Sequence, residues 1–182
     1  MEFIKTDIEG LILVKPTVFD DDRGYFYESY NEKIYKAGGI TCDFLQDNQS
    51  YSTYGTIRGF HIQRGEHAQA KLVRVVKGRV LDVAVDVRKD SPTFGKWFSV
   101  LLTDENHKQL FIPRGFAHGF SVLSKDAIFQ YKVDNYYDDK SEAGFQYNDP
   151  ELGIDWLTPE NKISISAKDK KLPSFKDFKD SL

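Results

Sequence analysis

An all-β fold, an antiparallel sandwich or barrel, is what this sequence predicts, and three observations carry that expectation. Residues alternate with period two: Leu81, Val83, Val85 and Val87 with Asp82, Ala84 and Asp86, and Ala127, Phe129, Tyr131 and Val133 with Ile128, Gln130, Lys132 and Asp134. Turn-forming clusters punctuate the chain at Lys77-Gly78, Asp90-Ser91-Pro92, Thr103-Asp104-Glu105-Asn106 and Ser124-Lys125-Asp126. Helical patterns, by contrast, are too short to organise a core. Many short strands separated this way suit two packed antiparallel sheets.

Along the chain, Asp22-Arg23-Gly24-Tyr25-Phe26-Tyr27-Glu28-Ser29 reads as an aromatic strand flanked by Arg23 and Glu28. Asn31 to Ala37 is the clearest helix, with Asn31 able to cap its start and Gly38-Gly39 able to end it. Gln46-Asp47-Asn48-Gln49-Ser50 supplies carboxamides, which hydrogen-bond sugar hydroxyls or base edges. In the strand Arg58-Gly59-Phe60-His61-Ile62-Gln63, alternation sends Gly59, His61 and Gln63 to one face and Phe60 and Ile62 to packing on the other. Lys71-Leu72-Val73-Arg74-Val75-Val76 is another strand. As a neighbour of the first, it would bring the Lys71 ammonium close to His61. Pro113-Arg114-Gly115-Phe116-Ala117-His118-Gly119-Phe120 puts His118 in a glycine-punctuated turn where backbone can approach a ligand. A short helix from Ser174 to Asp180, with Pro173 at its entrance, closes the chain.

Composition narrows the function classes. The 182 residues suit one domain spanning positions 1–182, with a core that needs no staples. Net charge is -3 and the Lys and Arg residues are scattered, so no nucleic-acid footprint is expected. The single cysteine, Cys42, rules out an internal disulfide framework, and the N-terminus lacks the pattern of a signal peptide, which makes the cytoplasm the expected compartment. No apolar run reaches the roughly 20 residues of a membrane span. Aromatic content of 14% suits β-structure.

Each polar segment also has a structural reading. His61 could be a hydrogen-bonded structural histidine, Arg23 and Glu28 an exposed ion pair, Gln46 to Ser50 a turn, and Pro113 to His118 a tight bend. Their coincidence in one chain favours a site.

Pro113-x-Gly115-x-x-His118 followed by an aromatic strand resembles the second motif of the cupin superfamily, with Gly59 to Gly78 where the first would fall. Metal-binding cupins usually present His-x-His with a nearby Glu, whereas here Gln63 takes the second position and no upstream His pairs with His61. About three imidazole or carboxylate ligands are normally needed for a catalytic metal, so a metal-free, cofactor-free cupin is expected.

Among such cupins the chain resembles the dTDP-4-dehydrorhamnose 3,5-epimerase family nearly end to end. The segments that carry the resemblance are Asp22 to Ser29, Gln46 to Ser50, Arg58 to Gln63, Lys71 to Arg74, Asp86-Val87-Arg88, Ser91 to Gly95, Ile112 to Phe120, Tyr131-Lys132, Asn135-Tyr136-Tyr137 and Ser166-Ala167-Lys168-Asp169. The resemblance implies a cupin-type jelly-roll with a few short peripheral helices, and a dTDP-sugar as substrate. It assigns His61 as general base, Asp169 as the group orienting it, Lys71 as the cation near the C4 oxygen, and Tyr131 as proton donor on the opposite face. Arg23, Arg58 and Lys168 are implied as diphosphate contacts, Gln46, Asn48, Glu28 and His118 as sugar and nucleotide contacts, and Tyr137 as a thymine-stacking surface. A homodimer with exchanged N-terminal strands is implied too, so Arg23 and Glu28 would act across an interface.

Small departures from the family pattern exist. Gln49 stands where a His is common after Asp-Asn, and Phe60 and Ile62 replace close hydrophobic relatives. A monofunctional 3- or 5-epimerase, a 3,4-ketoisomerase, a metal-dependent cupin oxygenase and a non-catalytic sugar-binding module are the competing readings.

Overall fold

The alternation resolves into two stacked antiparallel sheets in the computed structural model, which describes residues 1–182. In chain order the strands are β1 (Glu2–Lys5), β2 (Ile12–Lys15), β3 (Phe19–Asp21), β4 (Gly24–Phe26), β5 (Gln46–Thr53), β6 (Ile57–Gln63), β7 (Lys71–Lys77), β8 (Arg79–Asp86), β9 (Trp97–Thr103), β10 (Gln109–Ile112), β11 (Phe116–Val122), β12 (Asp126–Val133) and β13 (Glu142–Gly144). One sheet has the order β1-β2-β10-β7-β12-β5 and the facing sheet β13-β6-β11-β8-β9, while β3 and β4 form a separate hairpin. No helix is long and apolar enough to cross a membrane.

Strand β12 shows why the sheets stack. Ala127 and Phe129 are buried between them with Val73, Val75, Leu110 and Ile112 of their own sheet and Ala84, Phe116, Phe120 and Val122 of the other. Burying a side chain such as Phe129 contributes about 1.5–3 kcal/mol. The same alternation continues to Tyr131, half-buried against this core.

Alternation in β8 does not mean a wet face. Every residue from Val80 to Asp86 is buried, because Leu81, Val83 and Val85 point outward beneath a cover of Phe145, Leu152, Trp156, Phe175 and Phe178. That cover comes from the C-terminal segment, which ends in helix α2 (Phe175–Asp180), where Ser174 caps the start by accepting from the Asp177 N–H. On the outer face of the other sheet, Tyr35 of helix α1 (Glu32–Ala37) and Ile40 pack on Ile12, Val14, Leu72 and Phe111. Asn31 caps α1, accepting from the Ile34 N–H at 3.3 Å.

Burying β8 on both faces leaves Asp82 and Asp86 with no exposure. Asp86 is satisfied by Arg88 Nε and Nη2, Ser91 Oγ and Thr93 Oγ1 at 2.6–2.9 Å, which ties the Ser91-to-Gly95 turn to the strand. Burial opposes its charge, but these donors hold its carboxyl down at about 2.

Three sequence expectations change here. β6 and β7 lie in opposite sheets, so Lys71 faces His61 across the sandwich and not from an adjacent strand. His118 sits within β11 and is buried; the turn ends at Gly115, whose φ of 86° is the left-handed geometry that reverses the chain there. Gln46 to Ser50 is strand β5, paired along its length with β12.

Candidate active site

The six-stranded sheet supplies one wall of a cavity of about 270 Å³ lined by Gln46, Asn48, His61, Ile62, Gln63, Gln69, Lys71, Tyr131, Tyr137 and Glu142. Register places its side chains. Gln46, Val133 and Lys71 are cross-strand partners in one row, and Asn48, Tyr131 and Val73 in the next. Residues opposite one another in register share a face, so Lys71 and Tyr131 are diagonal neighbours on the inner surface. Gln46 Nε2 donates to Asn48 Oδ1 at 2.9 Å beside them.

The five-stranded sheet supplies the other wall. His61 on β6 is paired with Gly144 on β13 and with His118 on β11. Between His118↔His61 and Phe120↔Arg58, three steps along β6 match two along β11, so β6 carries an extra residue. Such a bulge re-aims the side chains around it. Ile57 and Phe60 therefore both join the outer core, and Arg58, three residues before His61, projects close enough to Tyr131 to lower its pKa. Gly59 allows this: its φ is 125°, and a Cβ there would lie 2.5 Å from Gly119 Cα and 2.7 Å from the His118 oxygen.

Asp169 reaches this wall from the C-terminal segment. Its Oδ1 lies 2.8 Å from His61 Nε2, and its Oδ2 accepts from the Gly59 N–H at 3.5 Å. Burial of Asp169 opposes its charge, but the His61 bond and charge together with the Gly59 N–H outweigh that and keep its carboxyl below the ordinary carboxylate value. An ionised carboxylate only accepts, so in the neutral imidazole Nε2 carries the proton and Nδ1 the free lone pair. A basic nitrogen of fixed tautomer therefore stands at the cavity.

Two other groups are tuned by the same surroundings. Burial pushes the Lys71 ammonium down to about 8, against the pull of Asp82 and Glu142. Burial, with a smaller push from Glu142, raises the Tyr131 hydroxyl against the pull of Arg58, so it stays protonated at neutral pH. One wall thus offers a base and the other an acid and a cation.

Not every residue singled out in the sequence lies on this cavity. His118 shares the inner face with His61 but is buried beside it, with Nε2 2.8 Å from Asp82 Oδ2 and its ring stacked on Phe129 at 6.0 Å. Arg58 donates to Ser52 Oγ at 3.0 Å. Lys168 is at the rim, 2.6 Å from Glu142 Oε2. Arg23 and Glu28 are apart from it: Arg23 is held to Asp21 at 2.7 Å, and Glu28 accepts from Asn31 Nδ2 at 3.1 Å.

The structure adds residues that the sequence did not single out. Glu142 accepts from both the Tyr137 hydroxyl (2.5 Å) and Lys168, which fixes the rim. In sequence it is one acid in a polar stretch with Asp138 and Asp139, without a distinguishing signal. β13 can approach β6 closely only because position 144 is glycine, where a Cβ would fall 1.9 Å from the Phe60 oxygen. Gln69, two residues before Lys71, also lines the cavity. Asp82 reads as the polar partner in an alternating strand, and its partner His118 lies too far along the chain to suggest the pair.

A cavity in a β-sandwich where a histidine on one wall faces a tyrosine and a lysine on the other has the groups that acid–base chemistry needs. Residues 5–177 match the sequence profile of dTDP-4-dehydrorhamnose 3,5-epimerases, and the chain belongs to that family. It is 50% identical to the dTDP-4-dehydrorhamnose 3,5-epimerase of Escherichia coli K12 over 173 residues, 94% of this chain and 93% of that protein. The crystal structure of the corresponding protein from Elizabethkingia anophelis NUHP1 superposes with a TM-score of 0.92 at 52% identity, covering 97% of each chain. The Legionella pneumophila Philadelphia 1 dTDP-6-deoxy-D-glucose-3,5-epimerase, solved in complex with dTDP-4-keto-L-rhamnose, superposes with a TM-score of 0.92 at 46% identity, over 96% of this chain and 93% of that one.

Proposed function

We propose that this protein inverts C3 and C5 of dTDP-4-dehydro-6-deoxy-D-glucose, giving dTDP-4-dehydro-L-rhamnose, with no metal or cofactor. The observation that carries the reading is the placement of His61 and Tyr131 on opposite walls of one cavity, with Lys71 beside Tyr131. Inversion at carbon needs a proton removed from one face and returned to the other, and the C4 ketone acidifies both neighbouring C–H bonds. His61 Nδ1 takes the proton, the C–H electron pair moves into the enolate on the C4 oxygen, and Lys71 stabilises that charge. Tyr131 then protonates the opposite face, re-forming the ketone. His61 and Tyr131 return to their starting states by exchange with solvent, and the same cycle repeats at the second carbon. Asp169 keeps Nε2–H of His61 pointed away from substrate and stabilises the imidazolium.

Arg58 and Lys168 suit the diphosphate, with Arg23 as a third cation. Gln46, Asn48, Glu28 and His118 serve sugar and nucleotide contacts, and Tyr137, half exposed at the rim, stacks on thymine. The family reading also calls for a homodimer. Its support is the β3–β4 hairpin, which leaves Phe19 62%, Tyr25 56% and Phe26 68% exposed and carries Arg23 away from its own chain's cavity. A partner's hairpin would deliver Arg23 and Glu28. The carbohydrate-biosynthetic role and cytoplasmic location follow from the same family reading.

Incubation with dTDP-4-dehydro-6-deoxy-D-glucose and NMR of the product tests the proposal. A ketosugar of L-rhamno configuration is expected. Unchanged substrate, a product inverted at one centre, or a moved carbonyl would overturn it.

A further inference from the structure

Gln63 was notable in the sequence for not being a metal ligand, and the structure gives it other work. It is 5% exposed and lines the cavity two residues from His61, on the same strand face. Its Oε1 accepts from the Asp138 N–H at 3.2 Å. Because an N–H can only donate, this contact fixes which end of the carboxamide is oxygen. The Nε2 end has no acceptor in the protein and is not sealed from the cavity.

Gln69 is the mirror case. It lines the same cavity two residues before Lys71, and its Nε2 donates to the Asn135 carbonyl at 2.8 Å. A carbonyl only accepts, so the amide orientation is again fixed, and Oε1 is left without a donor. Both glutamines thus tether the segment from Asn135 to Asp138, which carries Tyr137, and each leaves one polar atom free: a donor from Gln63 and an acceptor from Gln69.

A hydroxyl is the group that needs both. We propose that Gln63 Nε2 and Gln69 Oε1 recognise the C2 hydroxyl of the substrate's sugar ring and so act as positioning and specificity residues. The inference rests on the epimerase reading above. In that reaction C3, C4 and C5 change geometry and are handled by His61, Lys71 and Tyr131. The C2 hydroxyl keeps its configuration throughout, which suits a rigid pair of partners tethered to the nucleotide-facing loop.

The test compares dTDP-4-dehydro-6-deoxy-D-glucose with its 2-deoxy analogue on wild-type protein and on Gln63→Glu. That variant keeps an oxygen for the Asp138 N–H and removes the Nε2 donor. In wild type, the analogue should show kcat/KM about 10–100-fold below the parent. Gln63→Glu adds a charge that acts on both sugars alike, so the readout is the ratio: kcat/KM should fall about 10–100-fold more for the parent than for the analogue, with dTDP affinity within about twofold. Equal turnover of the two sugars by wild type would overturn the proposal without any variant. Equal losses on both sugars, or loss of dTDP binding, would show a purely structural tether and overturn it too. If wild type turns over neither sugar, the epimerase reading itself fails and takes this inference with it.

Discussion

His61 and Asp169 stand 108 positions apart in the chain and meet at 2.8 Å through Nε2 and Oδ1, with Asp169 buried and His61 still open to the cavity. The pairing leaves one imidazole nitrogen free to act as base. Asp169→Asn removes the charge that orients and balances the imidazolium, and kcat should fall by about 10²–10⁴-fold with KM little changed. Steady-state kinetics check it. The same carboxyl is held below its ordinary value of 3.8, so its stability contribution is present above that pH and lost as pH falls through the lower folded value. Acid unfolding of Asp169→Asn should therefore depend less on pH in that range than wild type does.

Lys71 sets an alkaline limit. Its ammonium is pushed down to about 8, so the positive charge proposed to face the enolate is lost as pH rises through that value. A plot of kcat/KM against pH should fall above about 8 in wild type and stay flat there in Lys71→Met, at a much lower level. Stability runs the other way. The folded value lies below the ordinary 10.5, so the cost of burying the charge is fully present below about 8 and disappears as pH rises towards 10.5. Lys71→Met should melt higher than wild type at pH 7.

Tyr131→Phe separates proton removal from proton return. His61 remains in place, so the variant should still exchange substrate C–H for solvent deuterium. Inverted product should fall by about 10²–10⁴-fold. NMR of the recovered sugar reads both quantities, and unchanged inversion would remove Tyr131 from the mechanism.

Arg23 tests the proposed homodimer with a site shared between subunits. Arg23→Ala and His61→Ala should each be nearly inactive alone. Unfolded and refolded together, half the dimers are mixed, and each mixed dimer holds one site with both residues intact, so about a quarter of wild-type activity should return. An inactive mixture would place Arg23 in its own subunit's site or outside any site.

Much of this was legible in the sequence because strand phase is local. The alternation of Ala127 to Val133 put Phe129 and Tyr131 on one face, and the structure shows that face turned to the core. Asn31 marked a helix start because capping depends on one nearby side chain. What was not legible depended on long-range arrangement. Strand phase cannot say which sheet a strand joins, so Lys71 was expected beside His61 and lies opposite it. A glycine-rich stretch suggested a turn at His118, yet Gly119 serves the close approach of β6 and β11. Glu142 enters the site because β13 pairs with β6, a long-range contact, and Gln69 because its segment leads into β7 on the cavity's edge.

The most direct measurement is solvent-deuterium incorporation into dTDP-4-dehydro-6-deoxy-D-glucose by wild-type protein and by His61→Ala. One base serving two carbons next to one ketone predicts deuterium at both C3 and C5 with wild type and at neither with the variant. Label at C3 alone, or label undiminished in His61→Ala, would contradict it.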